Sequence, residues 1–160
     1  MSKYCIDADV LIQAKNGPYQ FKTWPIFWRW LESQIDNATI FSSTFVYEEW
    51  VAGNDDLTKW ARSQKDSGFF IEPNDATQAI YKDIANFVIR KYPEKNAKDF
   101  LDGADAWVIA HAANEKASVV TQERGVVIYS QKVKIPNICA KFKVPCINLY
   151  DLFQKLNAKF

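Results

Sequence analysis

The sequence predicts an α/β fold in which helices cover both faces of a parallel sheet. Short apolar runs alternate with longer segments of helical periodicity along the chain. Strands separated by helices are typical of parallel sheets, because each parallel connection must cross back over one face of the sheet. The 160 residues are 48% apolar and include only five glycines and six prolines, which is typical of a globular domain with a substantial core. We therefore expect a single domain over residues 1–160.

The predicted elements follow one another without a repeat, a low-complexity tract or a linker. Helix boundaries follow from capping signals. Thr23 is a predicted N-cap with Pro25 in the first turn, Gly53 and Gly68 end the next two helices, and the fourth helix ends ahead of Pro93. Strands are predicted at 3–7, 38–43, 69–73, 118–121 and 146–149, and helices at 23–37, 44–53, 55–68, 74–91, 98–115 and 136–142, with 149–160 closing the chain.

The composition predicts a cytoplasmic protein. The sequence shows neither a basic and then apolar leader nor a run of about 18 apolar residues, so neither secretion nor membrane insertion is expected. The three cysteines, Cys5, Cys139 and Cys146, cannot all pair within one chain and form no CxxC motif. Each lies in an apolar stretch, which predicts buried and reduced thiols.

Four acidic residues lie at the ends of apolar elements or within core-facing helices. Asp7 ends the first predicted strand, and Glu123 follows the apolar run SVVT. Glu49 lies in the helical segment VYEEWVAG, and Asp105 begins the apolar stretch DAWVIAHAA. An isolated buried carboxylate is costly unless it is paired or binds a metal. Because Mg²⁺ and Mn²⁺ prefer oxygen ligands, these acids predict a magnesium or manganese site.

Spacing alone leaves open which further acids share this site. Asp9, Glu48 and Asp102 each lie within three residues of one of the four acids. Asp102 is also expected on the same side of the predicted helix as Asp105. The only histidine, His111, is predicted to be a packing or surface residue, and a metal-activated water needs no histidine as its base.

Four short motifs resemble those of PIN-domain nucleases and occur in that family's order. YCIDADVLI is similar to the family's opening strand, and EEWVAG resembles its glutamate helix, with Glu49 followed four residues later by a glycine. GADAWVIAHA resembles the third motif and selects Asp105, while VVTQE resembles the fourth and selects Thr121 and Glu123. The tail KIPNICAKFKVPCINLYDLF is similar to a bacterial and archaeal branch of PIN-like proteins akin to VapC-type toxins.

The resemblance implies a three-layer α/β/α fold with a five-stranded parallel sheet in the order 3-2-1-4-5. Strands one and four are then neighbours, so Asp7 and Glu123 converge at the switch point where open α/β sheets bind their ligands. The resemblance also implies a metal-dependent endoribonuclease, the possible toxin of a toxin–antitoxin pair. In it, one or two Mg²⁺ or Mn²⁺ ions are held by Asp7, Glu49, Asp105 and Glu123. Thr121 is expected to orient an acid or a water.

The sequence departs from the family's motifs at three positions. Asp9 stands where asparagine or serine is usual, Ala8 replaces a common hydroxyl residue, and Glu123 is longer than the usual aspartate. These departures leave the number of ions and their geometry open.

RNA, cut as a single strand or loop, is the substrate that the resemblance implies. The last forty residues carry seven basic and two acidic side chains, whereas the first 120 carry 13 basic and 17 acidic ones. Basic side chains near a carboxylate-bound cation can engage phosphates. The candidate phosphate contacts are therefore Arg124, Lys132, Lys134, Lys141 and Lys143.

The resemblance implies two protein partners, because PIN toxins commonly dimerise and are held inactive by an antitoxin. The segment WPIFWRW places Trp24, Phe27 and Trp28 at helical spacing with Leu31. Such an apolar stripe predicts either core packing or a protein interface.

Two alternatives remain open at the level of the sequence. Asp, any residue, Asp at the end of a first strand is also the signature of haloacid-dehalogenase-like phosphatases, in which Asp7 would be the nucleophile and Asp9 the general acid or base. That signature normally continues with glycine or threonine, whereas Val10 follows here. The second alternative is a catalytically inactive PIN-like binding module whose acids only cap helices and pair with lysines.

Overall fold

The structure, a computed structural model, describes residues 2–160. The strands in this range are β1 (Tyr4–Ile6), β2 (Ile40–Ser43), β3 (Phe70–Ile71), β4 (Ser118–Val120) and β5 (Cys146–Ile147). The helices are α1 (Ala8–Asn16), α2 (Pro25–Asp36), α3 (Thr44–Val51), α4 (Asp56–Ser63), α5 (Asp75–Lys91), α6 (Glu94–Asp102), α7 (Asp105–Glu115), α8 (Ile135–Lys141) and α9 (Leu149–Lys155).

The five strands form one parallel sheet in the order β3-β2-β1-β4-β5, with helices on both faces. Cys5 of β1 lies opposite Phe41 of β2 and Val119 of β4, and Val119 lies opposite Cys146 of β5. Every residue of β1 and β2 is buried, as expected for strands covered on both faces. The predicted α/β class and the strand order 3-2-1-4-5 are confirmed. Because β1 and β4 are neighbours, the residues that follow them meet at one edge of the sheet.

Helix α7 lies across the middle of the sheet, where it packs against β1, β2 and β4. Its residues from Ala106 to Ala112 are buried apart from the half-buried Trp107. Helix α5 packs on the outer side of α7. A helix that is apolar almost all round is expected where sheet and helix both cover it, so α7 is the central helix of its layer.

The aromatic stripe of α2 divides between core and surface. Phe27, Trp28 and Leu31 are buried, whereas Trp24, just before the helix, is 44% exposed. The buried positions lie on the face of α2 that contacts β2. Core packing, one of the two predicted roles, therefore accounts for these three residues.

The prediction of one helix over residues 98–115 is wrong. The structure has two helices here, α6 and α7, separated by Gly103 in an extended conformation with φ −95° and ψ −169°. Asp102 and Asp105 are consequently not on one side of one helix. Asp102 is exposed and accepts a hydrogen bond from Lys98 Nζ at 2.6 Å. The break depends on a distant contact, because Glu49 binds the backbone N–H of Ala104.

The sequence analysis also predicted no helix directly after the first strand, where the structure has α1. This helix is only nine residues long, and its buried side chains are Ala8, Val10, Leu11 and Ala14. So short a helix is marginal by its own propensity and depends on the tertiary packing of its apolar face. Asp7 therefore directly follows the last residue of β1 and is also the N-cap residue of α1.

The three cysteines are free thiols; Cys5 and Cys139 are buried and Cys146 is half-buried. His111 is fully buried within α7. Within residues 2–160, no helix combines the length and the apolar character needed to cross a bilayer.

Candidate active site

Asp7 is fixed at the carboxyl end of β1 by contacts from three segments. Its backbone N–H donates to the Val120 carbonyl at 3.0 Å, and Thr121 Oγ1 donates to Asp7 Oδ2 at 2.9 Å. On either side of it, Ser42 Oγ donates to the Ile6 carbonyl at 2.7 Å. Trp50 Nε1 donates to the carbonyl of the next residue, Ala8, at 3.2 Å. Asp7 is 1% exposed, so its side chain has little freedom to move.

Thr121 and Glu123 continue from β4 beside Asp7. The Thr121 hydroxyl donates to Asp7 and also accepts from the Glu123 backbone N–H at 3.1 Å. Glu123 Oε2 accepts from the backbone N–H of Ile135, at the start of α8, at 2.8 Å. Lys134 Nζ lies 3.9 Å from Glu123 Oε1. The Thr121 hydroxyl thus links the Asp7 side chain to the backbone of Glu123.

Asp105 and Glu49 approach from the helical layer. Asp105 is the first residue of α7, and Glu49 Oε1 accepts from the Ala104 N–H, one residue earlier, at 3.0 Å. A Cβ on Gly103 would lie only 3.3 Å from the same Glu49 oxygen. This backbone contact was not predicted from the sequence, although Gly103, two residues before Asp105, was the feature that could have indicated it.

The four acids share one electrostatic environment. Burial raises the pKa of Asp7 to about 8, and the charge of Asp105 adds to that rise, while the hydrogen bond from Thr121 opposes it. Burial likewise raises the pKa of Asp105 to about 7, followed by the charges of Glu123 and Glu49. The positive ends of α1 and α7 act in the opposite direction, because helix N-termini favour anions.

Of the three further acids, only Asp9 adds to this environment. Asp9 is exposed on the first turn of α1, and its charge raises the pKa of both Asp7 and Asp105. Glu48 and Glu49 are both exposed, and Asp102 pairs with Lys98 at the end of α6.

Within residues 2–160, one buried carboxylate oxygen is left without a hydrogen-bond partner. Asp7 Oδ1 accepts no hydrogen bond, although its partner oxygen is bound to Thr121. Leaving a buried charged oxygen unpaired is costly, and a bound cation is one way in which proteins compensate it. Oxygen donors on several carboxylates are the ligands that Mg²⁺ and Mn²⁺ prefer, so the residues present fit such an ion.

Among residues 2–160, no group of three or more His, Cys, Asp or Glu side chains is gathered closely enough to form a complete metal site. Magnesium does not require one, since it commonly takes one or two carboxylates and keeps waters or substrate phosphates as its other ligands. Of the four acids, Asp7 and Asp105 are the two whose pKa values are raised by burial.

Two cavities are each lined by one of the four acids. A cavity of about 400 Å³ is lined by Glu49, Gly103 and Trp107 among others, and one of about 300 Å³ by Thr121 and Glu123 among others. Two larger cavities, of about 510 and 610 Å³, lie along α5 with α8 and with α6, and none of the four acids lines them. Asp7 and Asp105 line neither of the two smaller cavities, so the accessible acids of the site are Glu49 and Glu123.

The five basic residues that are predicted to contact phosphate form two groups, one near Glu123 and one at the far end of α8. Lys134 is beside Glu123, and Arg124 lines the smaller cleft. Lys132 is exposed in the same loop, between β4 and α8. Lys141 and Lys143 follow the opposite end of α8, where Lys141 Nζ lies 5.1 Å from the Phe87 ring centroid.

His111 lies within α7 and has no hydrogen-bond partner at either ring nitrogen. Burial lowers its pKa to about 4, so the ring is neutral near neutral pH. It packs in the core and is not directed to the acids by any hydrogen bond.

The sheet order, with acids at the end where β1 and β4 lie side by side, defines a PIN-like α/β fold. The family model described as a domain of unknown function, DUF4411, matches residues 4–160, and the chain belongs to that family. No curated protein matches the sequence.

A solved structure supports the fold. The crystal structure of VapBC2 from Rickettsia felis, bound to a DNA fragment from their promoter, contains a chain that matches with a TM-score of 0.51 and 18% identity. The match covers 91% of this chain and 97% of that chain. At this identity the likeness bears on the fold alone.

Proposed function

We propose that this protein is a divalent-metal-dependent phosphodiesterase that hydrolyses RNA, with residues 1–160 acting as one PIN-like domain. The observation that carries the proposal is Asp7 Oδ1, a buried carboxylate oxygen without a partner in the electrostatic environment of Asp105 and Glu123. Perturbed carboxylates of this kind are concentrated at functional sites.

The acids have different roles in the proposed site. Asp7 and Asp105 hold a Mg²⁺ or Mn²⁺ ion, and Glu123 and Glu49 contribute directly or through water. A bound divalent cation lowers the pKa of a water molecule and offsets charge on the phosphodiester transition state. Thr121 is a positioning residue, because its hydroxyl orients the Asp7 carboxylate through the 2.9 Å hydrogen bond.

The two glutamates are held by backbone donors that precede or begin a helix. Glu49 Oε1 is bound by the Ala104 N–H and Glu123 Oε2 by the Ile135 N–H. Each carboxylate is therefore oriented through one oxygen. The second oxygen of Glu49 is left for a water or a cation, whereas Glu123 Oε1 lies 3.9 Å from Lys134 Nζ. This arrangement is compatible with one bound ion or with two.

The RNA strand contacts basic residues on the Glu123 side of the site. Arg124, Lys132 and Lys134 supply positive charge along the loop that follows β4. Phosphate contacts of this kind position a nucleic acid without reading its sequence. A single strand is favoured, because its backbone can enter a narrow acidic cleft.

A toxin role, with an antitoxin protein as the natural inhibitor and a homodimer as the working form, is the wider proposal. The sequence resemblance to VapC-type toxins and the fold match to a VapBC2 chain support it. Expression of the chain alone in a bacterium is then expected to stop growth, while the Asp7→Asn variant is tolerated. Unchanged growth with well-expressed protein would count against a toxin role.

Cleavage of pooled structured and single-stranded RNAs tests the enzymatic proposal. Wild-type protein, Asp7→Asn and Asp99→Asn are each assayed with Mg²⁺, Mn²⁺ or EDTA. Asp99 is an exposed acid on α6 that pairs with Lys95 at 2.9 Å, so it serves as a matched control. Cutting is expected with metal for wild type and Asp99→Asn, and a loss of at least roughly 100-fold for Asp7→Asn. Equal cutting by all three proteins, or in EDTA, would overturn the proposal.

The same samples separate the two alternatives. Beryllofluoride trapping at Asp7 would identify a phosphatase that forms an aspartyl-phosphate. Absence of Mn²⁺ binding in calorimetry, together with no cleavage, would identify an inactive binding module.

A further inference from the structure

The loop between β4 and α8 is long and connected to the candidate site at both ends. It runs over residues 121–134, begins with Thr121 and Glu123, and ends with Lys134 beside Glu123. Loops of this length without secondary structure are uncommon in compact domains and are frequently functional. The residues at its middle have no part in the metal site proposed above.

The middle of this loop is held in one shape by hydrogen bonds. The Asn137 side chain binds both backbone groups of Val126, accepting from its N–H at 2.8 Å and donating to its carbonyl at 2.7 Å. Asn96 Nδ2 donates to the Gln131 carbonyl at 2.7 Å. Between these anchors, the Ser130 N–H donates to the Val127 carbonyl at 2.9 Å and closes a four-residue turn.

The turn over residues 127–130, which we name the apolar turn, presents large side chains to solvent. Val127 is 56% exposed, Ile128 78% and Tyr129 85%. Tyr129 and Ile128 are the two most exposed of the large hydrophobic residues within 2–160. Clustered exposed apolar side chains mark interaction sites, and a turn that is already ordered loses little conformational entropy on binding.

A cavity of about 450 Å³ lies between the apolar turn and the junction of α5 with α6. Ile128 and Tyr129 line it on one side, and Lys91 and Tyr92 line it on the other. Tyr92 is largely buried, and Lys91 Nζ lies 5.9 Å from the centroid of its ring. This volume is within the usual range of small-ligand sites.

The chemistry of this cavity favours a planar and anionic ligand. The exposed Tyr129 ring offers a stacking surface and Lys91 offers a positive charge, and no acidic residue among 2–160 lines the cavity. Unpaired nucleobases stack on aromatic rings while nearby basic side chains bind their phosphates. Arg124 and Lys132, both exposed, carry the same positive charge along the loop towards Glu123.

The cavity is close enough to the acids to serve one bound strand. Tyr129 is six residues after Glu123, so their backbones are at most about 21 Å apart even if the chain were fully extended. This limit is compatible with one short single strand that contacts both the acids and the cavity.

We infer that the apolar turn, Lys91 and Tyr92 form a base-binding subsite for an unpaired nucleotide of the RNA substrate, with Tyr129 as the stacking residue. This inference rests on the proposed function, because it takes RNA as the ligand. Duplex RNA is excluded from the subsite, since its stacked bases present no free face.

Binding of a fluorescently labelled single-stranded oligoribonucleotide to the Asp7→Asn protein tests the subsite without cleavage. In this background, Tyr129→Ala is compared with Tyr129→Phe and with Tyr150→Ala. Tyr150 is 67% exposed on α9 and does not line the cavity, which makes it a matched control. Tyr129→Ala is expected to raise Kd roughly 5- to 150-fold, whereas Tyr129→Phe and Tyr150→Ala keep the original Kd. Anisotropy with a duplex of the same sequence is expected to show no effect of Tyr129→Ala.

Equal affinities of Tyr129→Ala and Tyr150→Ala for the single strand would overturn the subsite, and so would an equal loss for the duplex. A Tyr129→Ala protein that changes its oligomeric state in sedimentation, with unchanged RNA affinity, would also overturn it and assign the turn to protein contacts.

The outcome is distinguishable from that of the proposed function. RNA affinity that depends on Tyr129 in a protein that cleaves no RNA would leave the subsite standing and reject the phosphodiesterase. RNA cleavage whose KM is unchanged by Tyr129→Ala would reject the subsite alone.

Discussion

Asp7 combines a fixed position with an unfavourable environment. Its backbone and one carboxylate oxygen are bound, while the second oxygen is buried without a partner. Burial raises its pKa to about 8, whereas the ordinary value is 3.8. The folded state therefore holds a proton that the unfolded state releases between these values, and stability falls as the pH rises from about 4 to about 8. Such a cost is characteristic of residues kept for function.

Asp7→Asn is expected to stabilise the metal-free protein at pH 8. The amide carries no charge, so the desolvation cost disappears, although an unpaired polar atom remains. We expect a gain of roughly 1–3 kcal/mol in the free energy of unfolding at pH 8. Little gain is expected at pH 4, close to the ordinary pKa of 3.8, where the wild-type carboxyl is protonated in the folded state and partly protonated in the unfolded state. Urea denaturation at both pH values measures it. A variant that is less stable than wild type at pH 8 would contradict the assigned environment.

His111 has the opposite pH dependence. Burial lowers its pKa to about 4 from the ordinary 6.5. The unfolded state therefore binds a proton that the folded state excludes, and stability falls as the pH decreases from about 6.5 to about 4.

His111→Leu is expected to raise stability by roughly 1–3 kcal/mol at pH 7, because it removes two buried nitrogens without partners. The difference from wild type should grow by about 3 kcal/mol by pH 4. Chemical denaturation across this range measures it, with His111→Gln as the control that keeps a polar group but cannot titrate. Parallel pH profiles for wild type and His111→Leu would exclude this residue as a source of acid sensitivity.

At the scale of elements, the break between α6 and α7 leaves the Ala104 N–H free to bind the Glu49 carboxylate. Gly103 is extended rather than left-handed, so its backbone does not itself demand glycine. An added Cβ would lie 3.3 Å from Glu49 Oε1, so the Glu49 carboxylate would have to shift by a few tenths of an ångström.

Gly103→Ala is expected to displace the Glu49 carboxylate and to lower the proposed RNA cleavage roughly 10- to 100-fold, the usual effect of losing an orienting contact to a metal-site residue. Gly53→Ala is a matched control, because its Cβ would lie equally close to Thr58 Oγ1, away from the acids. Cleavage rates and melting temperatures are compared. If both variants lose activity equally, the effect of Gly103→Ala is not specific to Glu49.

The pairing of α8 with β5 makes the three thiols unequal. Cys146 is half-buried, whereas Cys5 and Cys139 are buried. Burial raises the pKa of Cys5. Because the thiolate is the reactive form, Cys146 should react first.

Alkylation with iodoacetamide, followed by peptide mass spectrometry, is expected to label Cys146 before the other two cysteines. Cys146→Ser should remove the fast phase of labelling. Prior labelling of Cys5 or Cys139 in folded protein would contradict this assignment.

At the scale of the whole molecule, the parallel sheet gathers acids from distant segments at one edge, where β1 and β4 are neighbours. Collected there, Asp7 and Asp105 have pKa values of about 8 and 7 in the absence of a cation. A cation that binds them must displace protons at lower pH.

Divalent cations are therefore expected to stabilise the wild-type protein more strongly at pH 8 than at pH 6. Mn²⁺ at about 100 times its Kd should add roughly 2.7 kcal/mol, which corresponds to about 5–10 °C in the melting temperature of a chain of this size. Thermal melts with and without Mn²⁺ measure this, and Asp7→Asn should abolish the shift. A shift that is equal at both pH values, or that persists in Asp7→Asn, would place the ion elsewhere.

Much of the fold was predictable because burial on both faces of a parallel sheet requires apolar strands between helices. The family motifs then predicted the strand order, which the structure confirms. The errors occur where a tertiary contact outweighs local pattern. Residues 98–115 have helical periodicity throughout, yet Gly103 interrupts the helix and Glu49 binds the backbone N–H of Ala104 beyond it. Helix α1 is too short to be signalled by its own propensity.

The sequence by itself determined which acids stand at the ends of strands and helices, since that follows from local apolar pattern and from the motifs. Only the tertiary structure decided how each acid is held and charged. Thr121 and Asp7 are 114 residues apart, and Glu49 and Ala104 are 55 apart. Desolvation and hydrogen bonding act through space, so the unpartnered Asp7 oxygen and the ordered loop that carries Tyr129 exist only once these segments have come together.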